Sequence, residues 1–214
     1  VYLLADDIFD EMVSRNVGEY RYPLGGKLYV FNKNENIGFI KGHMCSPAIA
    51  TQAEDLIAGG VKELIHVGYA GGLQPELVPG EIILTDGAFN DTAVARLYGY
   101  DYDIIHSSKD LTNEIEEMIT SAEILYKRGI HWTTDAGYRE TWGQVMDYRD
   151  KGALCVEMEG VGLFTIANYR KCVATGIYVV SDVYLEDDWK LGWEGNDIKK
   201  AVGEIIDMII KSIR

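Results

Sequence analysis

Residues 61 to 72 read Val61-Lys62-Glu63-Leu64-Ile65-His66-Val67-Gly68-Tyr69-Ala70-Gly71-Gly72. The stretch from Val61 to Val67 is largely apolar, the composition of a strand buried on both faces of a sheet. The glycines that follow let a backbone turn sharply or approach a ligand closely without a side-chain clash. They fall at the carboxyl end of the strand, where open α/β sheets gather their ligands. A dinucleotide loop needs G-x-G-x-x-G opening into a helix, whereas this chain runs into Leu73-Gln74-Pro75 and then another strand. A plain strand exit accounts for the same glycines, so their purpose stays open at this point.

Outward from that strand, apolar segments with strand and helix periodicity alternate. Strands are predicted over 1–4, 28–31, 36–40, 81–85, 130–134, 153–156 and 172–180, the second and third joined by the turn-rich Asn32-Lys33-Asn34-Glu35. Helices are predicted over 6–15, from Pro47 to a stop at Gly59-Gly60, and over 158–169 and 196–213. One more runs through Leu111, Ile115, Met118, Ile119, Ala122 and Leu125, with Asp110 or Thr112 as cap and Gly129 as stop. This is the pattern of an α/β fold with a mostly parallel sheet, in one domain covering residues 1–214.

The chain has 214 residues, with 34 acidic against 20 basic side chains and a net charge of −14. That balance argues against a nucleic-acid partner, which needs clustered Lys and Arg on phosphates. No apolar run reaches the roughly 18 residues of a membrane span, so no membrane partner is expected. Cys45, Cys155 and Cys172 are odd in number and widely spaced, which suits a reducing cytoplasm better than a disulfide framework. No signal peptide is read, and the chain opens on Val rather than Met. His43 and Cys45 find no third ligand at metal-site spacing, so no metal is expected.

Three further places depart from what a core requires. Val156-Glu157-Met158-Glu159-Gly160 sets two carboxylates at a strand–helix junction. The helix dipole explains one acidic group there and explains two less well; a carboxylate at that spot could accept hydrogen bonds from vicinal hydroxyls. Ser181-Asp182 follows the apolar run Ile177 to Val180. A partly desolvated Asp can hold and donate a proton, although a capping Asp reads the same way. Thr133-Thr134-Asp135, followed by Tyr138-Arg139-Glu140-Thr141-Trp142, suits stacking on a flat heterocycle or an ordinary amphipathic loop. Trp189 and Trp193, beside Glu186-Asp187-Asp188, read as a solvated turn rather than a lid.

The four places occur in the order found in the nucleoside phosphorylase family, which includes purine nucleoside phosphorylase, uridine phosphorylase and methylthioadenosine nucleosidase. His66 to Pro75 with Pro79-Gly80-Glu81-Ile82 resembles the family's strand, glycine loop and next strand. Glu157-Met158-Glu159 resembles its ribose-binding motif and Ser181-Asp182 its base-site pair, while Asn90-Asp91-Thr92 to Tyr98-Gly99-Tyr100 resembles the nucleosidase branch.

The resemblance implies a twisted mixed sheet flanked by helices, assembled as a homodimer or as a hexamer built as a trimer of dimers. It implies cleavage of the N-glycosidic bond of a nucleoside, purine-type favoured, by phosphorolysis to free base and ribose 1-phosphate. No cofactor is implied beyond phosphate as co-substrate. Carried over, Glu157, Met158 and Glu159 bind ribose, Asp182 is catalytic at the leaving base, and Tyr138 and Ser181 complete the base site. The family's Gly-Asp-Pro-x-Arg phosphate motif reads Ala5-Asp6-Asp7-Ile8-Phe9 here, and the arginine before the glycines is His66. A phosphate or water site then falls to His66, Gly68, Tyr69 and Arg21, the last resembling an arginine lent to a neighbouring subunit. The same losses leave two alternatives: a hydrolytic nucleosidase using Asp6, Asp7 or Asp10 as base, and an inactive nucleoside-binding protein.

Overall fold

The computed structural model describes residues 1–186, 189–192 and 195–213, with the backbone alone at residue 189. Its elements in chain order are β1 (Tyr2–Leu4), α1 (Asp6–Ser14), β2 (Gly18–Tyr22), β3 (Leu28–Phe31), β4 (Asn34–Lys41) and α2 (Ser46–Ala58). Then come β5 (Glu63–Gly72), β6 (Ile82–Asp91), α3 (Ala93–Leu97), β7 (Ile104–His106), α4 (Lys109–Ser121) and β8 (Tyr126–Thr134). A single 3₁₀ turn at Gly137–Arg139 precedes α5 (Trp142–Asp150), β9 (Cys155–Glu157), α6 (Gly160–Arg170), β10 (Val173–Tyr184), β11 (Trp189–Leu191) and α7 (Asn196–Ser212).

All the strands join one mixed sheet whose two longest ladders, β5 with β10 and β6 with β8, are parallel. From β5 it runs outward through β1, β4 and β3 to the exposed edge strand β2. On the other side β10 pairs with both β5 and β6, β6 with β8, β8 with β9, and β9 back with β5. The ring β5–β10–β6–β8–β9 therefore closes on itself, and the ends of β5, β9 and β10 meet at one mouth.

Helices cover both faces. Ile8 and Met12 of α1, Leu111, Ile115 and Ile119 of α4, and Ile198, Ile205 and Ile209 of α7 share one core with Ile65 and Val67 of β5. Each such side chain contributes on the order of 1.5–3 kcal/mol on burial. On the other face α2 and α6 pack together through Ile49, Ala53, Leu56, Val161 and Phe164. A Cβ on Gly162 would lie 2.5 Å from the Ser46 carbonyl oxygen, so this glycine sets how closely α6 approaches the start of α2.

Several boundaries differ from the sequence expectation. The glycines after Val67 do not form a loop. Gly71 and Gly72 are held in β5 by β9 on one side and β10 on the other. The ladder supplies hydrogen bonds that no side-chain pattern announces. Helix α4 starts after Ser108 and closes at Ala122 with Glu123 in the left-handed region, φ 57°. Gly129 is accordingly no helix stop: it lies inside β8, where a Cβ would meet Leu154 Cδ1 at 2.9 Å. Strand β10 extends to Tyr184 and carries Ser181 and Asp182 within it, with a register shift between Val180 and Asp182. Trp189 belongs to β11, which pairs with the end of β10, so the solvated-turn expectation is corrected there. Asp187, Asp188 and Trp193 lie outside the described residues.

Candidate active site

The carboxylate of Glu157 ends β9 in full burial, and four donors surround it. His131 Nε2 lies 2.9 Å from Oε1, and the Thr133 hydroxyl donates to the same oxygen. The backbone N–H groups of Glu159 and Gly160 donate to Oε2 at 2.8 Å each, so Glu157 closes the amino end of α6. Burial alone would raise its pKa, but His131 and these hydrogen bonds bring it down to about 2. The chain of polar contacts continues from His131 Nδ1 to Thr85 Oγ1 at 2.6 Å. Gly160 leaves room for all this: a Cβ there would stand 2.5 Å from His131 Nε2.

Glu159, two residues on, has the opposite character. Its Oε1 accepts from the Cys45 N–H at 2.6 Å and its Oε2 from the Met158 N–H at 3.3 Å. Burial, followed by the repulsion of Glu157, pushes its pKa up to about 8. Cys45 reaches it through a left-handed backbone, φ 72°, just before α2. Beside it the Ser46 hydroxyl donates to the Met158 carbonyl, and Met158 itself stays half-buried.

His66 joins this pair. Ligating atoms of His66, Glu157 and Glu159 all lie within 4.8 Å of one another. The His66 ring is buried against Tyr178, with Nδ1 3.5 Å from the phenol oxygen. Burial holds it neutral, its pKa lowered to about 4. Gly68 admits the ring, since a Cβ there would lie 3.0 Å from His66 Cε1. The trio is a poor metal cage, because both Glu157 oxygens are already committed to N–H and O–H donors.

Asp182 lies on the β10 side of the same mouth. The Ser181 hydroxyl is 2.5 Å from Asp182 Oδ1 and 3.2 Å from the Ala70 carbonyl. Above Gly71, Asp182 Oδ2 and Tyr184 Cε2 come to 3.2 and 3.0 Å of where a Cβ would be. Tyr184 donates its phenol hydrogen to Glu140 Oε2 at 2.6 Å. Gly137, in turn, lies between Glu140 Oε1 and Met158 Sδ, 3.5 and 3.9 Å from its Cβ position. Asp182, Tyr184, Glu140, Gly137 and Met158 are therefore near neighbours in that order, which brings the two carboxylate stretches into one region.

A family model described as the phosphorylase superfamily matches residues 7–211. The chain belongs to that superfamily. It is 29% identical over 182 residues to the "Purine nucleoside phosphorylase DeoD-type" of Exiguobacterium sibiricum, covering 84% of this chain and 75% of that protein. The protein of the same description from Caldanaerobacter subterraneus subsp. tengcongensis is 33% identical, over 84% of this chain and 76% of its own length. That from Bacillus cytotoxicus is 31% identical, over 64% and 59%. The chain thus spans from 59% to about three quarters of the length of these relatives. Among solved structures, the P. knowlesi homologue of P. falciparum PNP superposes with a TM-score of 0.80 at 19% identity, over 98% of this chain and 85% of that one, a likeness of fold.

Within this phosphorylase-superfamily fold, three of the residues expected at the site lie elsewhere. Tyr69 is three residues from His66 along β5, which puts the two on opposite faces. Its ring packs against the core under α1, and its hydroxyl donates to Asp7 Oδ2 at 2.6 Å. Arg21 lies on the outermost strand β2 and pairs with Glu19 and Glu35 of its own hairpins. Tyr138 projects fully into solvent from the 3₁₀ turn. Conversely, His131 and Thr133 hold Glu157 and Thr85 contacts His131, while Cys45 donates to Glu159 and Glu140 accepts from Tyr184 beside Asp182. Of the first group, Thr133 falls in the stretch read as a stacking loop, and the sign for His131 is a histidine inside the strand predicted over 130–134. His43 and Cys45 do not act as a pair: Cys45 serves through its backbone, and the His43 N–H donates to Gln52.

Proposed function

We propose that this chain cleaves the N-glycosidic bond of purine nucleosides by phosphorolysis. A phosphate oxygen bonds to the sugar C1′ as the C1′–N9 bond breaks, its electron pair leaves with the base, and products are the free base and ribose 1-phosphate. The observation that carries the proposal is the continuity from Glu159 and Met158, through Gly137 and Glu140, to Asp182. A sugar grip and a proton donor for the leaving group stand at one opening. The descriptions of the relatives support the substrate class.

In this reading Glu159 accepts the ribose hydroxyls, Met158 packs on the sugar and Glu157 fixes both by holding the start of α6. Asp182, steadied by Ser181, donates to the imidazole nitrogen of the purine, lowering the barrier to base departure. The negative charge of the Glu157 region favours an oxocarbenium-like sugar. Phosphate meets neutral His66 beside Gly68, with Arg21 and Tyr138 supplied across a contact between copies in a homodimer or a trimer of dimers. We place this single phosphorylase-like domain, residues 1–214, in the cytoplasm, with phosphate as its co-substrate and no resident cofactor. No helix among the described residues is long and apolar enough to cross a membrane.

A second reading, hydrolysis, is favoured by one observation. Where relatives carry their phosphate motif, this chain has acidic groups, with Asp7 bound to Tyr69 and Asp6 paired with Lys41. Carboxylates repel a phosphate dianion and suit activation of water. Base release from inosine and adenosine, followed with and without phosphate, decides between them. Phosphorolysis predicts release that depends on phosphate and yields ribose 1-phosphate. Full-rate release in phosphate-free buffer would replace it by hydrolysis, and no release in either buffer would defeat both.

A further inference from the structure

We propose that Glu140 determines base specificity, its carboxylate accepting an N–H donor on the six-membered-ring edge of the bound purine. This rests on the nucleoside-cleaving reading above and adds a residue that the Glu-Met-Glu and Ser-Asp stretches do not include. Glu140 follows the 3₁₀ turn Gly137–Arg139, where Tyr138 and Arg139 are exposed while the Glu140 side chain turns inward. Tyr184 spends its phenol hydrogen on Oε2 at 2.6 Å, fixing the orientation of the carboxylate. Oε1 then lies on the side of Gly137 and Met158 Sδ. Tyr184 and Asp182 both lie over Gly71, so the carboxylate that Tyr184 holds stands near that of Asp182. Burial, with a smaller push from the charge of Asp182, leaves the Glu140 pKa raised against the opposing hydrogen bond from Tyr184.

The placement has a chemical consequence. A purine whose imidazole nitrogen meets Asp182 carries its six-membered ring alongside, within the same opening. Inosine presents N1–H on that ring and adenosine an exocyclic N–H, whereas purine riboside presents neither. A carboxylate oriented by Tyr184 rewards the donors and offers nothing to a bare ring nitrogen. The alternative role is a mere latch, in which Glu140 only pins the turn to β10 through Tyr184.

The test measures kcat and KM for inosine, adenosine and purine riboside in the wild type, Glu140→Gln and Tyr184→Phe proteins. In Glu140→Gln the amide oxygen still accepts from Tyr184, so the amide N–H groups face the base, donor against donor. The wild type should favour inosine or adenosine over purine riboside by about ten- to a hundredfold in kcat/KM, the range for a hydrogen bond to a charged group. Glu140→Gln should abolish or reverse that ratio, mainly through KM. Tyr184→Phe should reduce the ratio without reversing it. A latch predicts equal losses on all three substrates, and an unchanged ratio in Glu140→Gln would overturn the proposal. If the wild type releases no base, the nucleoside-cleaving reading falls by itself. The same ratio, taken from calorimetric dissociation constants of the three nucleosides, then decides the role of Glu140.

Discussion

Two carboxylates two residues apart should respond in opposite ways to the same conservative change. Glu157 Oε1 and Oε2 accept from His131, Thr133 and two backbone N–H groups. Glu157→Gln keeps one accepting oxygen and turns an amide N–H₂ toward donors on the other side. At about 1–3 kcal/mol for each buried donor left unsatisfied, two such donors cost about 2–6 kcal/mol. Removing one partner of a buried charged pair gives a similar figure, about 3–5 kcal/mol, and the two figures describe the same loss. Glu159, by contrast, has its pKa pushed up to about 8 and is largely a neutral acid at pH 7. A glutamine there mimics that acid and still accepts the Cys45 N–H, so its cost should stay below about 1 kcal/mol. Urea titration at pH 7, followed by tryptophan fluorescence, measures both. With a slope of about 2–3 kcal/mol per molar, Glu157→Gln should lower the midpoint by about 1–2 M, and Glu159→Gln should leave it nearly in place while weakening nucleoside binding. Equal shifts for the two variants would refute the assignment of one as structural anion and the other as neutral ligand group.

Other outcomes follow from the same geometry. Gly160→Ala places a methyl 2.5 Å from His131 Nε2 in a region without slack. It should destabilise by about 1–3 kcal/mol and reduce activity, read by urea titration and base release; unchanged values would mean the His131–Glu157 contact is dispensable. His66 is neutral in the folded chain down to about pH 4, against an ordinary value of 6.5. The unfolded chain therefore binds the extra proton first, so stability rises between pH 4 and 6.5 and is lost on acidification through that window, by about 3 kcal/mol at most. The stability difference between wild type and His66→Gln should shrink by about 2 kcal/mol from pH 7 to pH 5, and a constant difference would remove the effect. Asp182→Asn cannot supply a proton to the leaving base. Its kcat should fall about 10²–10⁴-fold with little change in KM, and wild-type turnover would remove Asp182 from the chemistry.

What the sequence displays is whatever burial writes into a period. The stripes of α4 and α7 and the apolar runs of β5 and β10 are legible because water is excluded from one face or from both. Strands β2 and β7 are not, since four of the five residues of β2 are exposed and β7 has three residues in all. Pairing rather than side-chain pattern makes them strands. The glycine run shows the same limit in a way that matters for function. Read as a loop, His66 through Tyr69 can converge on one anion; read as the strand it is, a separation of three residues sends them to opposite faces.

Glu157 and Glu159 stand out as a pair by their cost to a core, and nothing local distinguishes them. Their difference is set by His131 and Thr133, twenty-odd residues upstream on β8, and by Cys45, 114 residues away, whose backbone N–H reaches Glu159. The helix dipole at α6 cannot assign the roles either, since Glu157 takes the N–H groups of both Glu159 and Gly160 and leaves Glu159 to find a donor elsewhere. This division suits a glycosidic-bond cleaver. An anion whose acceptor positions are taken up by its own scaffold holds the helix start rigid, and a neighbour with fewer donors from the protein keeps hydrogen-bonding capacity for a sugar. A chain in which both glutamates were equally satisfied by the protein would have the same motif and no grip on ribose.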